Sequence, residues 1–235
     1  MIEFDGAEVA LEPDRTGDEP VRILHPLDLV LAERRIAVIG PNGSGKSTLA
    51  RLINGLVLPT AGAVRVRDAA GSPLDTIDDG AKVRRHVGFV FTQPAAQLVM
   101  PTVLEDVALS LRREHRRRAE RDAAALAVLE RFGLAALADR SVHTLSGGQQ
   151  QLLAIASVLA AGPGFLVADE PTTLLDLRNA RRIGELLLGL EQQLVVATHD
   201  LELAAQCDRA LLVEGGRVVA DGGPADVIAH YRATV

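Results

Sequence analysis

Residues 35 to 55 read RIAVIGPNGSGKSTLARLING. The apolar run RIAVI has the β-branched content of a short buried strand, and LARLING carries the apolar spacing of a helix. Between them lies GPNGSGKST (40–48), the pattern G-x-x-x-x-G-K-S. A loop of this kind turns backbone N–H groups toward phosphate oxygens at a helix N-terminus, where the helix dipole adds to the attraction. Lys46 reaches the outer phosphates and Ser47 offers a magnesium ligand. Strand, loop and helix occur in the required order, so a chance Gly-rich turn is the weaker reading. Asn42, Gly43, Ser44, Gly45, Lys46, Ser47 and Thr48 are the candidate nucleotide-binding residues, with a nucleotide and Mg2+ as the ligands implied. Lys46 and Lys82 are the only lysines in a chain that otherwise uses Arg. A compact ammonium suits a phosphate cradle better than a planar guanidinium fork.

Outward from this loop, the β-rich runs AVRVR (63–67), HVGFVF (86–91), FLVAD (165–169) and QLVVATH (193–199) alternate with helical stretches. That alternation predicts an α/β fold, a P-loop nucleotide-binding core with a mixed sheet. Between 102 and 161 the strand signal disappears. VLEDVALSLRRE, RRRAERDAAALAVLERFG and GGQQQLLAIASVLAAG all carry helical spacing, which predicts an inserted helical subdomain over about 94–162. The core then comprises 1–93 and 163–235. The Arg-rich run RREHRRRAERD (112–122) is interleaved with acids and reads as a solvated helix face.

Three further motifs fit a nucleotide. FLVADEP (165–171) is an apolar strand ending in two acids, with Asp169 suited to supporting magnesium and Glu170 to orienting or deprotonating a water. By itself a strand ending in Asp-Glu is weak evidence, and the phosphate loop gives it weight. VATHD (196–200) ends another apolar strand in His199, whose imidazole can hydrogen-bond a γ-phosphate or the attacking water. TLSGGQQQ (144–151) opens a helix with Ser146, Gly147, Gly148 and Gln149, a second anion-binding helix start in one domain. One phosphate loop already serves one nucleotide, so a second makes sense if it closes on the nucleotide of another copy.

Composition narrows the function. A formal charge of −6 argues against a broad basic face for nucleic acid. The single Cys207 permits no internal disulfide and has no zinc spacing around it, which suits a reducing compartment and simple packing. The first residues, MIEFDGAEVAL, carry acids where a secretory signal needs a basic head, and no stretch approaches the roughly 20 apolar residues of a membrane span. Attachment to a membrane therefore requires another polypeptide.

In order, GPNGSGKST, LSGGQ, FLVADEP, TTLLD (172–176) and VATHD resemble the nucleotide-binding subunits of ABC transporters over essentially the whole chain. The resemblance implies a head-to-tail dimer, read here as a homodimer, with two ATP molecules sandwiched between the phosphate loop of one copy and the LSGGQ of the other. It implies that Ser146, Gly147, Gly148 and Gln149 clamp the other copy's ATP, that Asp169 supports magnesium, that Glu170 is the catalytic base, that Asp176 acts across the dimer and that His199 senses the γ-phosphate. An active ATPase is expected.

The chain departs from the family pattern at three places. The stretch EFDGAEVAL ends in Leu11 where the family usually places an aromatic residue against adenine, leaving apolar contact without a π face. Thr92 follows Phe91 where glutamine is usual, so either Gln93 is the magnesium ligand after a one-residue adjustment or water replaces that ligand. Leu152 replaces an Arg common in the signature helix. Within the family, FTQPAAQLVMPTVLEDVA (91–108) resembles the loop and short helix of energy-coupling-factor (ECF) importers. That implies a transmembrane coupling protein and a small membrane substrate-capture protein as partners, no nucleic acid, and a peripheral position on the cytoplasmic face of the cell membrane. Gln97, Leu98, Val99, Met100 and Pro101 are then the expected partner contact. The compact C-terminal part and the lead-in ERRIAVIG resemble the biotin-transporter ATPase. Other readings are a nickel or cobalt ECF importer, another ABC importer, a nucleotide-gated adaptor without turnover, and a soluble ABC protein of translation or DNA repair. The single domain and acidic charge disfavour the last.

Overall fold

The computed structural model describes residues 1–12 and 20–234. Its centre is a six-stranded sheet in the order β10-β9-β3-β8-β7-β6, formed by β3 (Arg35–Ile39), β6 (Val87–Val90), β7 (Phe165–Asp169), β8 (Gln193–Ala197), β9 (Arg209–Glu214) and β10 (Arg217–Gly222). All pairings are parallel except that of β10 with β9. The apolar runs of β3, β7 and β8 do not alternate with polar residues because both faces of the sheet are covered. On one face Ile36, Val38, Val167, Val195 and Leu211 pack against the helix α1 (Lys46–Asn54) through Leu49, Leu52 and Ile53. On the other, Ala37, Ile39, Leu166, Val196 and Leu212 join the helices α5 (Gly147–Ala160) and α6 (Leu177–Leu188).

A second sheet, antiparallel and ordered β2-β1-β4-β5, consists of β1 (Ile2–Leu11), β2 (Val21–Leu31), β4 (Ala61–Arg67) and β5 (Pro73–Asp75). Its Phe4, Val64 and Val66 belong to the same apolar cluster as α1, so that helix lies between two sheets and is buried at six positions. The mixed sheet expected from the sequence is the six-stranded one, and this antiparallel sheet stands beside it. β2 escapes notice because VRILHPLDLVL carries His, Pro and Asp inside a strand, with burial that does not alternate cleanly.

The helical region holds α3 (Val103–Ser110), α4 (Arg118–Arg131) and α5. It shares one apolar cluster with a face of the central sheet: Val107, Leu129 and Val142 are continuous through Leu153 and Ile155 with Leu166 and Val196. The Arg-rich run enters a helix only at Arg118; from there surface pairs Arg117–Glu120 and Arg118–Asp122 form at 3.3 and 3.4 Å. The remaining helices are α2 (Gly80–His86), α7 (Leu201–Ala204) and α8 (Pro224–Thr234). No described helix is long and apolar enough to cross a membrane.

Strand order positions the chemistry. β3, β8 and β7 are neighbours, and Val38 and Asp169 both pair with Ala197. The loops leaving their carboxyl ends therefore emerge side by side, where open α/β sheets place their ligands. Those loops carry Gly40, Glu170 and His199.

Candidate active site

Three glycines shape the loop after β3, with φ of 142° at Gly40, 77° at Gly43 and 107° at Gly45. A Cβ on Gly40 would lie 2.1 Å from the Val213 carbonyl oxygen, so a side chain there is excluded by backbone as well as by conformation. The loop ends at the first turn of α1. Among the described residues, the backbone N–H groups of Gly43, Gly45, Lys46, Ser47 and Thr48 meet no protein acceptor, and they gather at a helix N-terminus. Asn42 is exposed beside them, whereas Ser44 is buried under the loop with its hydroxyl unpartnered.

Lys46 is nearly buried, and its Nζ donates to the Gly40 and Pro41 carbonyls at 2.7 and 2.9 Å. Burial pushes its pKa below the ordinary lysine value, against the opposing pull of the Glu170 and Asp169 carboxylates. Ser47 Oγ donates to Asp169 Oδ1 at 2.8 Å, and Arg51 reaches Asp169 Oδ2 at 3.2 Å. Asp169, 1% exposed, is held between a hydroxyl and a guanidinium. No group of three or more His, Cys, Asp or Glu side chains forms a metal cage among the described residues. Mg2+ binds through one or two protein oxygens and substrate phosphates in sites of this chemistry, so the donor set fits a magnesium nucleotide better than a free cation.

Glu170 follows directly, and at φ 51° it is the one non-glycine residue with positive φ among those described. Its backbone N–H donates to Ala197 O at 2.8 Å, which fixes the turn against β8. The Oε2 atom accepts from Thr173 Oγ1 at 2.9 Å and lies 2.7 Å from His199 Nδ1. A left-handed Glu costs on the order of 1–3 kcal/mol and persists where its surroundings over-determine it, as at reacting centres. With Nδ1–H donating to the carboxylate, Nε2 of the exposed imidazole is left for another partner.

The helix α5 starts at Ser146, a capping box in which Gln149 N donates to Ser146 Oγ and Ser146 N donates to Gln149 Oε1. Gly147 and Gly148 have no backbone acceptor for their N–H groups. A Cβ on Gly148 would come within 2.7 Å of Asn179, which is itself held by Asp176: Asn179 N and Nδ2 each donate to that carboxylate at 2.8 Å. These bonds hold the exposed Asp176 below the usual carboxylate range. The signature glycine thus permits α5 and α6 to approach. A cavity of about 200 Å³ between Thr92–Ala95, Gly147, Gln151 and Leu174–Leu175 separates the α5 start from the loop after β6. A larger cleft, about 470 Å³, lies elsewhere, by Arg84, Arg85 and Arg113.

Gln93 is exposed, and no side-chain hydrogen bond holds it among the described residues. Gln97 faces inward: its Nε2 donates to Phe89 O at 3.0 Å and its Oε1 accepts from Phe91 N at 3.2 Å, closing the end of β6. Leu98 is buried, Val99 is 67% exposed, Met100 half-buried and Pro101 exposed. The outward surface of the 97–101 segment is therefore narrower than its sequence suggests. Leu11 is exposed at the end of β1 opposite Val21, also exposed, an apolar pair open to contact. Leu152 is buried in α5, where it joins the core. Sequence reasoning gave no role to Thr173 or to the buried Asp106; neither residue type announces itself without its contacts.

Comparisons with known proteins bear on this arrangement. The family model described as ABC transporter matches residues 25–173. The biotin transport ATP-binding protein of Rhizobium etli is 48% identical over 209 residues, covering 89% of this chain and 91% of that protein. The energy-coupling factor transporter ATP-binding protein of Halalkalibacterium halodurans is 41% identical over 197 residues, covering 82% of this chain and 69% of that one. Among solved structures, the ATP-binding cassette MJ0796, a dimer in a post-hydrolysis state bound to ADP and Pi, aligns with a TM-score of 0.81 at 32% identity, covering 95% of this chain and 99% of its own.

Proposed function

The chain belongs to the ABC transporter family, and from that premise we propose that it is the ATP-hydrolysing subunit of an ECF-type importer that takes up biotin. The observation that carries the hydrolytic part is the convergence of five unpaired N–H groups, Lys46, Ser47, Asp169 and Glu170 at the carboxyl ends of β3 and β7, the two strands that flank β8. The biotin assignment is supported by 48% identity to the biotin transport protein of Rhizobium etli.

In this reading the loop amides of 43–48 and Lys46 hold the phosphates. Ser47 and Asp169 would hold magnesium, and Gln93, on the loop after β6, would supply a further oxygen donor. Magnesium, when bound, neutralises charge on the β- and γ-phosphate oxygens. Glu170 takes the proton of the attacking water, and its strained backbone and its bonds to Thr173 and His199 fix the carboxylate for that step. His199 contacts the γ-phosphate through the ring edge that faces away from Glu170. Leu11 lies against adenine.

The second half of each site comes from a second copy of the chain. Ser146, Gly147, Gly148 and Gln149 cap its nucleotide with free amides and a hydroxyl, and Asp176 braces the crossing loop. A transmembrane coupling protein receives the exposed part of 97–101, and a small membrane protein captures the substrate, so the chain sits peripherally on the cytoplasmic face. Co-expression with the membrane subunits and uptake of radiolabelled biotin into vesicles tests this. ATP-dependent uptake is expected. Stable complexes that hydrolyse ATP but take up nickel, cobalt or another vitamin would replace the cargo and leave the ATPase reading in place.

A further inference from the structure

The helical region contains a buried carboxylate that the hydrolytic chemistry does not use. Asp106, in the first turn of α3, is 4% exposed and lies near no basic side chain that pairs with it among the described residues. A charge taken out of water without a counter-ion persists only when hydrogen bonds replace its hydration. Three do so here. Oδ1 accepts from the Val99 and Met100 amides at 3.0 and 3.1 Å, and Oδ2 accepts from Ser157 Oγ at 2.9 Å.

The geometry has a direction. Val99 and Met100 belong to the segment placed against the membrane partner, and Ser157 lies on α5, whose other end carries Ser146, Gly147 and Gly148. Asp106 therefore bridges the outward loop to the helix that presents the signature. A second tie runs parallel to it. Val142 N donates to Pro101 O at 3.1 Å, Val103 N to Arg140 O at 3.1 Å and Leu104 N to Ala138 O at 2.9 Å. Thr102 and Ser141 pair as an isolated antiparallel bridge, five residues before Ser146, the cap of α5. Gln150 Nε2, on α5 itself, donates to Val142 O at 3.2 Å. The outward loop is thus fastened at both its ends to one helix.

We propose that Asp106 is a positioning residue that transmits displacement of the 99–101 loop to α5, so that the membrane partner and the signature at Ser146–Gly148 are mechanically coupled. This rests on the reading of 97–101 as the partner contact. The side chain acts through hydrogen bonds to two backbone amides and one hydroxyl. Its removal leaves only the parallel tie through Pro101 and Val142, and so weakens the coupling without altering any group that touches nucleotide.

The test uses the full transporter in vesicles and the isolated ATPase, with Asp106→Asn, Ser157→Ala and Val99→Asp. Three readouts are taken: retention of the membrane subunits during purification, phosphate release by the isolated chain, and the ratio of substrate uptake to ATP hydrolysed. For Asp106→Asn and Ser157→Ala, retention and isolated phosphate release stay within about twofold of wild type, and the uptake ratio falls severalfold. Ser157→Ala, which removes one hydroxyl and introduces no new group, keeps the test valid should Asp106→Asn fold poorly. An unchanged uptake ratio in Ser157→Ala, or phosphate release by the isolated chain that falls in step with uptake, overturns the proposal. Val99→Asp is expected to release the membrane subunits. Its normal retention would instead remove the partner contact from 97–101, a failure of the underlying reading and distinct from a failure of the bridge.

Discussion

His199 Nδ1 lies 2.7 Å from Glu170 Oε2, and the two residues leave the carboxyl ends of adjacent strands, β8 and β7. The pair depends on backbone geometry more than on sequence proximity, since 29 positions separate them. Glu170 reaches the imidazole from a left-handed conformation that most residues avoid, and its own N–H is anchored on Ala197. Thr173 completes the arrangement from the crossing loop.

Thr173 should behave as a positioning residue for that carboxylate. Deleting one exposed hydroxyl donor is worth about 1 kcal/mol, so Thr173→Val should lower kcat about fivefold with little change in KM. Thr173→Ser keeps the donor and should restore most of the rate. Steady-state phosphate release by both variants checks this, and equal losses would point to packing of the threonine methyl instead.

Lys46 sits between two carbonyls with its Nζ within 2.9 Å of each. A guanidinium is planar and wider, so it fits neither this cradle nor a phosphate approached as a point charge. Lys46→Arg should weaken ATP binding by at least about tenfold, a loss of roughly 1.4 kcal/mol. Equilibrium titration with a fluorescent ATP analogue measures it, and thermal melting in the absence of nucleotide should move little.

Gly148 allows α5 to approach Asn179, the residue that Asp176 holds. Gly148→Ala places a methyl within 2.7 Å of that amide, and because the neighbour is a side chain, the start of α5 has to shift or Asn179 has to leave Asp176. A cost of about 1–3 kcal/mol in stability is expected, with hydrolysis in the dimer lost to a larger extent than ATP binding by the single chain. Urea unfolding and nucleotide titration on the same preparation separate the two effects.

Cys207 is buried beside Leu203, and burial pushes its thiol up to about 12 from 9.0. The folded state therefore holds the proton more tightly than the unfolded state. The associated stability is complete below pH 9 and is lost as pH rises from 9 toward 12. At pH 8 a disulfide reagent should label the native protein slowly and the urea-unfolded protein rapidly. Between pH 8 and pH 10 the urea midpoint should fall, and Cys207→Ala should reduce that fall.

The phosphate loop was legible because its chemistry is local: three glycines, a lysine and a serine at fixed spacing between an apolar strand and a helix admit few other structures. The carboxyl-end motifs FLVADEP and VATHD were legible for the same reason, each being a buried strand followed within two residues by the side chain it presents. The second sheet was not, since β2 hides its pairing behind His25, Pro26 and Asp28 and depends on contacts with β1 at distant positions. Gln97 illustrates the other limit. Its sequence position suggests an outward contact, but an amide with both donor and acceptor satisfies the strand end at Phe89 and Phe91. Asp106 likewise reads as part of an acidic helix start, and only the fold reveals that it is buried against Ser157.

The most direct test of the account is phosphate release by the membrane-assembled complex carrying Glu170→Gln. The amide retains the shape of the carboxylate and its contacts to Thr173 and His199 but cannot accept the proton of water. ATP should bind with near wild-type affinity, and steady-state turnover should fall by about a hundredfold or more, with biotin uptake falling in parallel. Hydrolysis near the wild-type rate would remove Glu170 from the role of base and contradict the mechanism at its centre.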